Sequence, residues 1–255
     1  MSENVQTAHK SGAANEFFEI IKTVVYALLI ALFLRVIFFQ PFTIPSASME
    51  PNLYEGDYII VSKFSYGYSR HSIPFSPPLF EGRILGSEPK RGDVVVFKLP
   101  SDNRTDYVKR VIGLPGDRVQ MKNGLLYLNG APVPREQLPP GRTDLGGFVR
   151  QVAQYRETIA GHAFDTQDFG TDGDLDNTDV FVVPEGYYFV MGDNRDNSSD
   201  SRVPPGAGGV GFVPAENLVG KAQIILLSWE PEASIFKPWT WVLDARVSRF
   251  FKVLH

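Results

Sequence analysis

Two hydrophobic rhythms divide this chain. Residues 23–34 are apolar without interruption, and Phe17-Phe18 and Val36-Ile37-Phe38-Phe39 extend that character on both sides. Beyond residue 56 the pattern changes to short runs of Val, Ile, Tyr and Phe, each closed by Gly, Pro or Asn. The first rhythm predicts one long helix and the second predicts β-strands joined by turns. The predicted strands are 57–62, 93–99, 106–112, 125–128, 187–191 and 218–227. Asn123-Gly124 and Asn129-Gly130 mark hairpin turns, and 93–99 with 106–112 reads as an antiparallel hairpin. Residues 65–92, rich in Ser, Pro, Gly and aromatics, read as a long loop or hairpin extension.

The uninterrupted apolar core is 12 residues, short of the ~20 a spanning helix needs. Residues 17–40 reach that length if Lys22 and Arg35 snorkel to the two interfaces. A core helix would be polar on one face, and the apolar part of a cleaved signal peptide would end sooner. The segment is therefore read as a transmembrane anchor behind a polar, disordered tail at 1–16. Lys10 and Lys22 precede the core, and no Lys or Arg occurs from 36 to 62. The positive-inside rule then leaves the tail in the cytoplasm and the bulk of the chain outside.

Composition narrows the chemistry. Pro and Gly, 19 and 23 of 255 residues, fit a mostly β chain with many turns. The net charge of -4, with no basic block, argues against nucleic acid as a partner. Cysteine is absent, which excludes disulfides and a thiol nucleophile, and the four histidines are scattered without ligand spacing. No cofactor or metal is expected. Residues 172–179 resemble half a calcium loop but lack its glycine and its closing glutamate, so they read as a solvated acidic loop. Residues 41–118 and 188–232 are expected to form one β-domain, with 119–187 as an inserted β-subdomain. In the tail, 233–255, Trp239, Val242, Leu243, Val247, Phe250, Phe251 and Leu254 fall at helical spacing. That tail reads either as a helix packed on the domain or as one lying in a membrane interface.

Three stretches carry candidate chemistry. Pro45-Ser46-Ala47-Ser48-Met49-Glu50-Pro51 sets two serines between prolines, on what should be a stiff, mostly extended backbone. Phe39 lies nine residue steps before Ser48, roughly 30 Å at full extension, so Ser48 stays near the membrane surface. Lys109, in the strand at 106–112, shares a strand face with Tyr107 and Val111. It is either an edge lysine with its ammonium in water or a buried one whose pKa burial lowers. Residues 192–202 crowd acids, two arginines and hydroxyls. They form either an Asx-rich turn with surface ion pairs or a scaffold that holds a catalytic group still.

Four motifs in order resemble the bacterial type I signal peptidase family. They are Pro45-Ser46-Ala47-Ser48-Met49-Glu50-Pro51-Asn52-Leu53 after the anchor, Gly56-Asp57-Tyr58-Ile59-Ile60-Val61, the run from Arg91-Gly92-Asp93 to Leu114-Pro115-Gly116-Asp117, and Gly192-Asp193-Asn194-Arg195-Asp196-Asn197-Ser198-Ser199-Asp200-Ser201-Arg202. The resemblance implies a Ser/Lys dyad protease built from two antiparallel β-sheet domains, the second inserted into the first. It implies Ser48 as nucleophile, Lys109 as general base, and the Ser46 hydroxyl with the Ser48 N–H as oxyanion hole. Ser198 would orient Lys109, and Asp193, Arg195, Asp200 and Arg202 would support the site. Ile44, Met49, Leu53, Tyr107 and Val108 would line apolar pockets for the small residues of a small-x-small site. The implied partners are membrane-bound preprotein signal peptides and the phospholipid bilayer, and the implied location is the bacterial cytoplasmic membrane. Val203-Pro204-Pro205-Gly206 departs from the family, which carries an aromatic there. The competing readings are a related Ser/Lys peptidase with a narrow substrate, such as a pilin or conjugation protein, and a non-catalytic tethered β-domain.

Overall fold

The computed structural model describes residues 3–144, 148–171, 173–231, 233 and 239–254. Helix α1 runs from Glu3 to Ile37. Residues 15–37 are long and apolar enough to cross a membrane, and none of that stretch is buried against the protein. Both ends of the anchor differ from expectation. The tail expected to be disordered is helical from Glu3, because extending an existing helix costs far less than nucleating one. The helix also stops at Ile37, short of residue 40. Pro41 keeps Gln40 extended, and the Phe38 carbonyl accepts the Lys63 amide at 3.0 Å.

The strands follow as β1 (Phe39–Thr43), β2 (Asp57–Ser62), β3 (Val94–Lys98), β4 (Asp106–Gly113), β5 (Arg118–Lys122), β6 (Leu125–Leu128), β7 (Ala131–Pro132) and β8 (Arg135–Asp144). They continue as β9 (Val149–Ile159), β10 (His162–Asp168), β11 (Phe181–Val182), β12 (Tyr187–Met191), β13 (Val213–Pro214), β14 (Leu218–Ser228) and β15 (Lys252–Val253). The largest sheet has the order β1-β2-β14-β3-β4-β12-β13, with β15 also paired to β14. Among the described residues, the named strands pair antiparallel throughout, including the β3–β4 hairpin from Val94↔Arg110 to Lys98↔Asp106, and one isolated bridge, Gln167↔Asn194, is parallel. Two smaller sheets, β11-β5-β6-β7 and β10-β9-β8, arise between β4 and β12. Asn123 and Asn129, with their following glycines, take the positive φ that their hairpin turns demand. The fold is thus mostly β, with antiparallel sheets behind one N-terminal apolar helix.

Alternation in β2 sends Ile59 and Val61 into a core with Ile44, Met49, Leu53, Val94, Val96 and Ala222. This core lies directly beneath the two-serine segment. The 65–92 segment is loop apart from a 3-10 turn at Arg70–Ser72 and an antiparallel bridge between Tyr68 and Ile84. It is pinned by Arg83, which donates to the carbonyls of Tyr66, Gly67, Ala215 and Leu218.

The C-terminal tail is not one helix. Its described part holds a short helix α2 (Thr240–Leu243), a 3-10 turn (Val247–Arg249) and strand β15. Residues 234–238 lie outside the described set. Two of its basic side chains turn inward to the fully buried Asp57: Arg249 Nε reaches its Oδ1 at 3.0 Å, and Arg246 lies 3.9 Å away. That pairing and the β14–β15 ladder outweigh helical periodicity. The acidic stretch after residue 172 is not fully solvated either. Asp176 is buried and accepts the Gly173 amide at 2.7 Å, while Asp172 falls outside the described residues.

Candidate active site

β1 ends at Thr43, and Pro45 and Pro51 bracket the two-serine segment that comes after it. Ser46 is extended, but Ala47–Met49 forms one 3-10 turn before Glu50 is extended again. The backbone is therefore not extended throughout, as the prolines suggested. The turn carries Ser48 to the rim of a cavity and drives Met49 into the core, where it is 1% exposed.

Lys109 comes from β4. It is 3% exposed, which selects the buried reading over the edge lysine. Nζ donates to Ser48 Oγ at 2.7 Å and to the Val108 carbonyl at 3.0 Å, and lies 5.4 Å from the Tyr107 ring centroid. Burial lowers its pKa to about 8, against the attraction of Asp200 and Asp193 and with some help from Arg202. Those two acids pull weakly because each is already paired. Asp193 binds Arg110 at 2.8 Å, and Asp200 binds Arg202 at 2.9 Å. Without its proton, Lys109 Nζ is an acceptor for the Ser48 hydroxyl across the same 2.7 Å contact. Among the described residues, no histidine lines this cavity.

The loop after β12 lies in the interior and is not a surface turn. Asp193, Arg195, Asp200 and Arg202 are at most 4% exposed. Asp193 also accepts from Asn52 Nδ2 at 2.8 Å, and Arg195 Nη1 donates to Glu157 at 2.8 Å. Asp200 takes the Gly192 amide at 3.0 Å; against the burial that would raise it, Arg202 holds its carboxyl below the usual range. None of the four bonds to Ser48 or Lys109 directly. They fix the loop whose Asn194 amide donates to the Ser48 carbonyl at 3.1 Å. Gly192 is required here, because a Cβ would lie 2.5 Å from that carbonyl oxygen and would overlap Ser198 Oγ.

Other implied residues fall less neatly. Ser198 is buried, but its Oγ makes no hydrogen bond, so a bond to Lys109 is not formed. Ser46 Oγ stands 3.4 Å from Ser48 Oγ. Ile44, Met49, Tyr107 and Val108 line the cavity, which is about 570 Å³, together with Phe42 and Asp106. Leu53 does not line it; fully buried, it packs in the core below.

Sequence reasoning passed over several residues that touch these segments. Asn194 Nδ2 donates to the Ala47 carbonyl at 3.1 Å. Glu50 accepts from Thr143 at 2.7 Å and Gln167 at 3.1 Å, and burial raises its carboxyl despite both bonds. Arg110 was the legible omission, since an arginine in an apolar strand must find an acid. Elsewhere, Asp168, Asp176 and Asp196 bring three carboxylate oxygens within 4.8 Å of one another, a group that could hold a metal ion. Burial, with Asp196 as neighbour, pushes Asp168 up to about 6.

A serine against a buried, neutralisable amine, in a β-fold carried by an apolar helix, is the equipment of a hydrolase with a hydroxyl nucleophile. Comparison with known proteins makes this specific. The profile of the family described as "Signal peptidase, peptidase S26" matches residues 17–229. The chain is 40% identical to the signal peptidase I of Rickettsia canadensis over 256 residues, covering 92% of each protein. It is 40% identical to that of Rickettsia prowazekii over 250 residues, covering 90% of this chain and 91% of the relative. A crystal structure of a signal peptidase I from Enterococcus faecalis is similar at 28% identity and a TM-score of 0.31, covering 53% of this chain and 97% of that one. The chain belongs to the signal peptidase family, peptidase S26.

Proposed function

We propose that this chain is a membrane-anchored serine endopeptidase that removes signal peptides from preproteins after small-x-small sites. The observation that carries the reading is the 2.7 Å contact between the buried Lys109 Nζ and Ser48 Oγ at the cavity rim. Neutral Lys109 takes the Ser48 proton as Oγ attacks the scissile carbonyl. The oxyanion meets the Ser48 N–H and the Ser46 hydroxyl. The resulting lysine ammonium protonates the leaving amine. It then returns as base for the water that hydrolyses the acyl-enzyme. The apolar cavity accepts the small side chains. By the charge asymmetry around α1, the N-terminus stays in the cytoplasm and the β-sheets face the outer side of a bacterial cytoplasmic membrane.

The test is cleavage of a preprotein by the detergent-solubilised chain across pH. Activity should rise as pH passes about 8, where burial has placed Lys109. Ser48→Ala and Lys109→Ala should each lose roughly 10³-fold or more, on the scale seen when a nucleophile or its base is removed. A variant with wild-type turnover would remove that residue from its role. Cleavage confined to one class of preprotein would favour the narrow-substrate peptidase.

A further inference from the structure

The catalytic cleft has a neighbour on the opposite face of the sheet. A second cavity, about 610 Å³, shares Thr43, Ile44 and Pro45 with the first, and its far wall is Tyr58, Trp229 and Trp241. The wall is held in place. Tyr58 and Trp229 meet edge to face at 5.6 Å, and Trp229 Nε1 donates to the Trp241 carbonyl at 2.9 Å.

The backbone between the cavities says what could enter both. β1 is the last strand on its side of the sheet. The Ile44 amide donates to the Asp57 carbonyl at 2.8 Å, and the Ile44 carbonyl accepts the Gly56 amide at 3.0 Å. Alternation along an antiparallel strand therefore turns the N–H and C=O of Thr43 toward the open edge. Pro41, with no N–H to leave unpaired, occupies the same set of positions. An extended peptide laid along this edge takes backbone hydrogen bonds from Thr43 and puts successive side chains on opposite faces.

We propose that this second cavity is a subsite for the middle residue of the small-x-small sequence, and that it takes an apolar or aromatic side chain. The inference rests on the peptidase reading above and adds a specificity to it. With the two small residues in the catalytic cavity, the residue between them points to the other face, where Thr43 and Pro45 lead to the aromatic wall. Glu55 and Glu230 stand exposed at the rim; Glu230 is paired with Arg246 at 3.1 Å, so Glu55 is the like charge that an acidic middle residue meets.

The experiment uses the full chain in detergent and three preproteins that differ only in the middle residue: Phe, Gly or Asp. The expected kcat/KM order is Phe, then Gly, then Asp, with Phe over Gly by roughly 5- to 20-fold, the scale of a few methylenes in a half-open pocket. Trp241→Ala should bring the Phe-to-Gly ratio near one. Ala233→Trp, which fills the cavity from another wall, should invert it, so the test does not depend on one variant folding. Melting curves accompany each variant. A wild-type ratio of one, or the same ratio in all three proteins, overturns the subsite. So does an unchanged ratio with weakened binding of Trp241→Ala to phospholipid vesicles, which would give the groove to lipid. Failure to cleave any of the three substrates overturns the peptidase reading and this one with it.

Discussion

At the scale of the residue, Lys109 is costly to keep. Unfolded, a lysine holds its proton to about pH 10.4. Folded, burial lowers this one to about 8. Between those values the unfolded chain binds more protons, so stability should rise with pH there, and below about 8 the fold carries the full penalty of a buried ammonium. Lys109→Met removes the charge and keeps the volume. It should raise stability by up to roughly 3 kcal/mol at pH 6 while abolishing activity, and the gain should fade towards pH 10. Thermal unfolding of both proteins across that range is the check. A gain independent of pH would mean Lys109 is not held neutral by its surroundings. Lys63, also lowered to about 8 by burial, is common to both proteins and cancels in the difference.

At the scale of the element, the site leans on the sheet formed by β8, β9 and β10. Gln167 of β10 exchanges backbone hydrogen bonds with Asp193 and Arg195, both at 2.9 Å, and its side chain reaches Glu50 beside the serine turn. Glu157 of β9 holds Arg195 with both partners buried. Removing Glu157 strands the guanidinium, so Glu157→Ala should cost about 3–5 kcal/mol and lower kcat more than it raises KM. Adding Arg195→Met should restore most of the stability but not the full rate. Urea unfolding and steady-state kinetics on the single and double variants measure this. If the double variant is no more stable than the single, stranded charge is not the cause. Element existence was largely legible: the β3–β4 hairpin, the Asn-Gly turns and the β14 run all declare themselves by local pattern. The tail did not. Its apolar positions repeat at helical spacing, yet Arg246 and Arg249 turn to Asp57, far earlier in the chain, and no local pattern encodes such a partner.

At the scale of the whole molecule, α1 ends at Ile37 and β1 begins two residues later, so the serine turn stays within a short chain length of the bilayer. Confining enzyme and substrate to one surface raises their effective concentration. Deleting residues 1–37 should therefore slow cleavage of a membrane-inserted preprotein by roughly 10²-fold, while a soluble peptide loses little. Parallel assays on the two substrates check this, and equal loss on both would show that the helix supports the fold instead. Local signals determined the family, the mostly β class, the anchor and the motifs that carry Ser48 and Lys109. These are written in residue type, spacing and hydrophobic period, which any stretch of chain displays by itself. Only tertiary structure decided that Lys109 is buried against Ser48, that the acids and arginines of the 192–202 loop are buried and paired, and that Leu53 lies under the cavity. It also decided that Ser198 points to no partner. Burial and pairing belong to the space between distant segments, and desolvation acts only once that space has closed.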